Sequence, residues 1–450
     1  MTLMRRNTSL DSVAPWVIGL ACATSSCVRV EATYLDVGGP DAYAPDAARP
    51  DATREDAPLD AFRIGTDADP GDSSAASDAP LPTGDEGTRA VLGSIGRRLI
   101  FDRLEEFERA AGSLVSATER AAASGSAVDR EAAREAWRAT MHLWQMLEVV
   151  QVGPAGLPLF SLGGRALRDE IHPWPLVSFC AIDQDLVTTA HSDPALLEAE
   201  PVNGRGLPAI EYALFNDDPQ NRCGATSSIN TDGSWAALGD AEVARRRLVF
   251  AHTAARVVET HARELRNAWD PSGDDFLGEF QTAGAGSAVY SNTRAALNGL
   301  SDALFYLYRD VVDYKLGTPA GLYVDCPAAA CPDRVESPWS DTSLDHVRVN
   351  LEAFRDTYLG APRPSTGFGF DDLLRNSGAS ETDRRMQDAI ATAFAAFDAV
   401  DGPLEVAVES DRADVVALHD AISAVADLFR DEVLVVLELS LPNRVEGDND

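Results

Sequence analysis

Residues 248–269 read LVFAHTAARVVETHARELRNAW, and their apolar members recur as Leu248, Ala251, Ala255, Val258, Ala262, Leu265 and Trp269. Steps of three and four place all of these on one face of an α-helix. The same period returns on either side. Upstream, Trp137, Met141, Trp144 and Glu148 form a stripe. Downstream, Leu297, Leu300, Leu304, Leu307, Val311 and Tyr314 form another, closed by Gly317 and Pro319. Leu418, Ile422, Val425 and Phe429 mark a last helix. Strand-like alternation is hard to find, and breaks rich in Gly, Pro and Asn fall near 153–164, 192–206, 216–238, 270–287, 317–345 and 360–380. Long helices between such breaks predict an all-α fold of packed bundles. There is no short repeat, so no solenoid. A helical body over residues 88–450 exceeds one four-helix bundle, and two are expected, at about 88–235 and 236–450.

Ahead of this body the composition changes twice. Residues 28–87 are Asp, Ala, Pro, Ser and Gly, with fourteen acidic residues against Arg29, Arg49, Arg54 and Arg63. Such a stretch buries too little apolar surface to offset its ordering entropy, so it reads as a disordered acidic tether. Its aspartates lack the fixed spacing of a calcium loop. Residues 1–27 place Arg5 and Arg6 before a short apolar run, then small residues and two cysteines. This is the layout of a bacterial secretory signal. A cysteine after small residues suggests a lipoprotein whose thiol carries the lipid. Cysteine parity points to Cys27, since losing Cys22 with the signal leaves four cysteines to pair; Cys22 is the alternative. In an oxidising envelope Cys326 would close a tight loop with Cys331, and Cys180 would pair with Cys223. Free buried thiols are the other reading of these four.

Charge narrows the partners. Lys+Arg 38 against Asp+Glu 72 gives a formal net charge of −34 over 450 residues, which repels nucleic acid and anionic membrane surfaces. The expected membrane partner is therefore a lipid anchor rather than a basic patch. No apolar run reaches the ~20 residues of a membrane span. The chain carries no His-Glu-x-x-His, no Gly-x-Ser-x-Gly and no phosphate-binding glycine loop.

One segment carries chemistry. Residues 204–215 read GRGLPAIEYALF, with Gly206 and Pro208 opening a helix in the order preferred at an N-terminus. Leu207, Ile210, Glu211 and Leu214 share a face, so the Glu211 carboxylate points into an apolar stripe. Glu148 likewise shares its face with Met141 and two tryptophans. A buried carboxylate must be paired, hydrogen-bonded, protonated or bound to a metal. Inward Glu residues on facing helices are how bundles build metal sites, which makes Glu211 and Glu148 candidate ligands. The plainer alternative is a buried arginine, with Arg165 or Arg168 as the nearest choices for Glu211. His261 and Glu264 form the clearest His-x-x-Glu, a two-ligand arm in principle, yet RVVETHARELR around them reads as a charged flank with a solvated salt bridge.

At GRGLPAIEYALF the chain resembles the imelysin family of bacterial envelope proteins, in its lipoprotein branch. WRATMHLWQMLEVVQVGP (137–154) is similar to that family's first helix. HPWP (172–175) followed by Ala181, Ile182 and Asp183 resembles its Trp-Pro and Ile-Asp segment. YKLGTPAG (314–321) and LPNRVEGDND (441–450) resemble its glycine-proline turn and its ending. The resemblance implies two related four-helix bundles with a site between them, export, and a link to iron acquisition. It adds Trp174 and Asp183 as pocket residues and iron or another divalent metal as cofactor. An envelope protein partner in metal uptake is also implied. The family motif is Gly-x-His-x-x-Glu. Here Gly206 and Glu211 match, but Pro208 holds the histidine position and offers neither a ligand nor an N–H.

The function expected is therefore a non-catalytic, lipid-anchored, periplasm-facing or surface binding protein for iron or another metal. A metallopeptidase of the imelysin type and a purely structural envelope module are the alternatives. Peptidase chemistry is disfavoured by the missing histidine, because a hydrolytic metal needs about three protein ligands and an open position for water.

Overall fold

The structure, a computed structural model, describes residues 80–188 and 190–442. The signal segment 1–27 with Cys22 and Cys27, the tether up to residue 79 and residues 443–450 lie outside the described residues. Among the described residues every regular element is helical, and no helix is long and apolar enough to cross a membrane.

The principal helices are α1 (Gly84–Ile95), α2 (Asp102–Ser124), α3 (Ala127–Glu148), α4 (Gly206–Phe215) and α5 (Asp240–Trp269). They continue as α6 (Thr293–Leu304), α7 (Ser343–Tyr358), α8 (Ser380–Phe397) and α9 (Arg412–Leu428). The turn between α2 and α3 shows how the sequence sets their ends. Gly125 takes a left-handed φ of 63° to stop α2, and Ser126 caps α3 by accepting a hydrogen bond from the Asp129 amide at 3.1 Å.

Helix α5 packs along α2 and α4, and α2 packs along α3. Their shared interior holds Trp137, Trp144, Phe107 and Trp269, all 1 % exposed or less. Truncating any one of these to alanine would cost about 3–5 kcal/mol. A second set joins α8 to α9, and α7 to α8, around Phe429, whose ring meets Phe305, Phe354 and Phe370. The two sets meet where α7 lies against α3, and the polar centre described below forms there. The long helix of the first set is α5, so that set extends past residue 235.

Three local details differ from the pattern read above. The helical body starts at Gly84, and Leu81 is buried with its carbonyl accepting from Asn376, so part of the acidic stretch belongs to the body. The breaks near 216–238 and 270–287 contain short helices at Ser228–Thr231, Ser234–Leu238 and Phe276–Gln281, too brief to show a period. The stripe that begins at Leu297 does not stay α-helical: Leu307–Gly317 is wound as a π-helix. This wider winding carries Lys315.

Candidate functional site

Gly206 fixes where the motif helix begins. Its φ is +83°, and a Cβ there would lie 2.7 Å from the Ile171 carbonyl oxygen and 2.9 Å from Pro173 Cδ. Only glycine permits this approach, and it clamps the start of α4 against the segment that carries His172. Pro208 sits in the first helical turn, where a missing N–H costs nothing because no intrahelical partner exists. Trp137 Nε1 donates to the Leu207 carbonyl at 2.9 Å and ties α3 to the same turn.

Beyond that turn lies a buried polar centre. Lys315 Nζ, 1 % exposed, is 2.6 Å from Gln145 Oε1, 2.9 Å from Asn350 Oδ1, 2.9 Å from Glu336 Oε2 and 3.3 Å from Glu148 Oε2. His172 joins the same two carboxylates on their other oxygens, with Nδ1 2.9 Å from Glu148 Oε1 and Nε2 3.5 Å from Glu336 Oε1. Gln145 Nε2 donates to Glu336 Oε1, and Asn350 Nδ2 donates to Gln145. Burial pushes the Glu148 carboxyl up, but Lys315 and His172 hold it well below the usual range. Burial opposes Glu336 too, and Lys315 and His346 bring it down to about 2. Both are therefore ionised at neutral pH.

Glu211 lies at the far end of a hydrogen-bonded run from this centre. Its Oε1 accepts from the amides of Trp339 and Ser340 and from Ser340 Oγ at 2.8 Å. Ser340 Oγ is 2.8 Å from Thr342 Oγ1, which is 3.1 Å from His346 Nε2, and His346 Nδ1 is 3.1 Å from Glu336 Oε2. Burial pushes the Glu211 carboxyl up to about 8, against the lowering effect of the Ser340 and Trp339 donors. Glu211 is thus protonated where Glu148 and Glu336 are ionised.

The sequence-named residues separate. Glu148 is in the centre, and Trp174 borders it with Lys315 Nζ 5.7 Å from its ring. Glu211 does not face Glu148 as a second ligand but joins through Ser340 and Thr342. It also does not meet the arginines expected of a structural pair: Arg165 bonds Asp274, and Arg168 donates to the Trp174 carbonyl and Asp169. Asp183 stands apart, accepting from Tyr212 Oη and the Arg222 amide, and burial raises it to about 6. Cys180 is bridged to Cys223 and Cys326 to Cys331. His261 is buried rather than on a solvated flank. The residues missed from sequence are His172, Lys315, Glu336 and His346. His172 and Lys315 fell inside quoted segments; His172 lies on no apolar stripe, while Lys315, four residues after Val311, continues one, and that was the signal.

The ligand atoms of Glu148, His172 and Glu336 lie within 4.8 Å of one another, and two carboxylates with an imidazole are a reasonable set for a divalent cation. The geometry nonetheless gives that place to Lys315. Its ammonium binds the Oε2 atom of each carboxylate and neutralises the charge that would draw a metal in. With Lys315 seated, these residues do not fit a metal.

Comparison with known proteins agrees with this architecture. The family model described as imelysin matches residues 100–431. Iron-regulated protein A from Synechococcus elongatus is 25 % identical over 317 residues, covering 70 % of this chain and 76 % of that protein. A crystal structure described as a candidate iron-regulated protein A precursor from Parabacteroides distasonis superposes with a TM-score of 0.62 at 19 % identity, covering 80 % of this chain and 96 % of its own. An imelysin-like protein from Psychrobacter arcticum gives a TM-score of 0.59 at 15 % identity, covering 81 % and 99 %. At these identities the two solved structures speak for the fold alone. The family match spans most of the helical body, and the chain belongs to the imelysin family.

Proposed function

We propose that this protein is a non-catalytic, exported binding protein of the bacterial envelope that serves iron acquisition. The observation that carries this reading is the closed polar centre. Glu148, His172, Lys315 and Glu336 are each 4 % exposed or less, and their charges are satisfied by one another. Hydrolysis needs an open position for water and substrate, and Pro208 removes the motif histidine. The iron link is supported by the name of the Synechococcus relative, and export by the description of the Parabacteroides relative as a precursor. Lipid attachment at Cys27, or at Cys22, would hold the helical body near a membrane. An envelope protein partner is supported by a loop that exposes Leu159 at 82 %, Phe160 at 52 % and Leu162 at 56 %.

Two measurements test the reading. Deleting the gene should slow growth in iron-depleted medium and leave growth in iron-replete medium unchanged. The full chain should leave an unfolded protein substrate intact with zinc, manganese or iron added. Chelator-sensitive cleavage, or a growth defect indifferent to iron, would overturn it.

A further inference from the structure

The chain that leaves Glu148 at the end of α3 returns to the polar centre at His172 through a loop with an exposed apolar face. Residues 157–162 of this loop read LPLFSL. Leu157 is 42 % exposed, Leu159 82 %, Phe160 52 % and Leu162 56 %. Four large apolar side chains in water over six residues form a patch rather than a scatter, and such patches mark contact surfaces. The loop is held stiffly. The amides of Phe160 and Ser161 both donate to the Leu157 carbonyl, at 3.0 and 2.9 Å, and the Gly153 amide donates to Ser161 Oγ at 2.8 Å. The Ala166 amide donates to the Gly156 carbonyl at 2.9 Å and closes the base. Phe276 seats that base: a Cβ at Gly153 would lie 2.2 Å from its ring, and one at Gly163 2.6 Å. A loop whose shape is fixed in advance has little ordering entropy to lose on binding.

The charges beside this patch say what covers it. The turn that follows α5 lies against the loop, since Arg165 Nη2 is 2.7 Å from Asp274 Oδ2 and Phe276 packs on Gly153 and Gly163. Arg165 is thereby neutralised. Arg266 is shared by Asp270 and Glu108, and Asp275 adds an exposed carboxylate next to Asp274. The border of the patch is therefore acidic, as is the whole chain at −34. We infer that Leu157, Leu159, Phe160 and Leu162 form a docking knob for an envelope protein that presents an apolar socket bordered by lysine or arginine.

Charge separates this occupant from the others. A second copy of the chain would bring a further −34 against the same acidic border, and an anionic lipid surface would be repelled in the same way. A cationic protein surface gains on both counts. Burial of the apolar tip, with Phe160 as its aromatic anchor, supplies affinity. Opposite charge at the rim supplies approach and orientation. The inference rests on the reading of this chain as one that works with an envelope partner, and it adds the place and the chemistry of that contact.

The test places the photo-crosslinking residue p-benzoylphenylalanine at position 159 of the full chain and irradiates intact cells of the parent bacterium. One protein adduct is expected. That protein, purified, should bind the full chain, and Leu159→Ser and Phe160→Ser should each weaken binding at least about tenfold at unchanged Tm. Asp274→Arg should weaken it too and flatten its dependence on salt. An adduct to lipid or to a second copy, no adduct, or a protein adduct whose affinity ignores Leu159→Ser and Phe160→Ser overturns the docking knob. The strain lacking the gene keeps the two readings apart. If it grows poorly only without iron and the Leu159→Ser, Phe160→Ser double variant restores it fully, the knob falls while the iron-acquisition reading stands.

Discussion

Glu211 and His346 are joined through two hydroxyl groups, those of Ser340 and Thr342, with no step longer than 3.1 Å. The ends of this run titrate in opposite directions. Burial raises Glu211 to about 8, and Glu336, beyond His346, is brought down to about 2.

The first prediction concerns Glu211→Gln. A carboxyl raised from 4.5 to about 8 adds stability that is whole below pH 4.5 and is lost as pH rises through 8. The neutral amide does not carry this penalty. The variant should lie within ~1 kcal/mol of the wild type at pH 5 and exceed it by a few kcal/mol, as an order of magnitude, at pH 9. Urea unfolding at both pH values checks this; a variant less stable than the wild type at pH 9 refutes it.

Lys315→Met should be among the most damaging single changes. It strips the ammonium from between Glu148 and Glu336 and leaves two buried carboxylates facing one another. The expected loss is about 3–5 kcal/mol. Adding Glu148→Gln should recover part of it, giving a double-mutant coupling of at least ~1 kcal/mol. Strict additivity in unfolding experiments would show that the two residues do not share one network.

Acid should act through Glu336. Its folded value of about 2 lies below the ordinary 4.5, so its contribution is present above pH 4.5 and is lost as pH falls through 2. Glu336→Gln should flatten the stability curve in that window while lowering stability at pH 7. A curve below pH 4.5 that is unchanged in the variant would assign the acid sensitivity elsewhere.

The disulfides should differ in weight. Cys180 and Cys223 are separated by 43 positions, Cys326 and Cys331 by 5. On loop-closure entropy alone, double alanine replacement should cost ~4 kcal/mol for the first pair and ~2 kcal/mol for the second. Thermal unfolding of the two variants orders them, and the reverse order refutes it.

Gly206→Ala should destabilise by at least ~2 kcal/mol, from left-handed backbone strain and the clash with the Ile171 carbonyl. An alanine variant as stable as the wild type would mean that the turn relaxes freely.

Much of the fold was legible because long helices write their period into the chain. Trp137, Met141, Trp144 and Glu148 were read as one buried stripe, and all four are buried. The π-wound stretch Leu307–Gly317 was not legible, since the apolar spacing of Leu307, Val311 and Tyr314 is equally compatible with an α-helix. Of the polar centre, Glu148 was read in advance, because a carboxylate on an apolar face violates the pattern; Lys315, following Val311 at i+4, violates it in the same way and was not read. Glu336 lies in a loop, where no periodicity marks an inward side chain. His172 and Lys315 are placed by Gly206 and by the π-winding, both tertiary effects. His261 was misjudged because its neighbours in sequence are charged, while in space the ring is covered by other segments.

Lys315 draws its four oxygen partners from α3 on one side and from the loop at Glu336 and the α7 that follows it on the other, two regions far apart in the chain. Apolar surfaces alone tolerate a slide of one helix past another by one turn, ~5.4 Å. With this lysine at the junction, such a slip strands an ammonium and two carboxylates without partners. Near-native dockings of the two helix sets that hydrophobic contact alone would accept therefore carry the cost of unpaired buried charges.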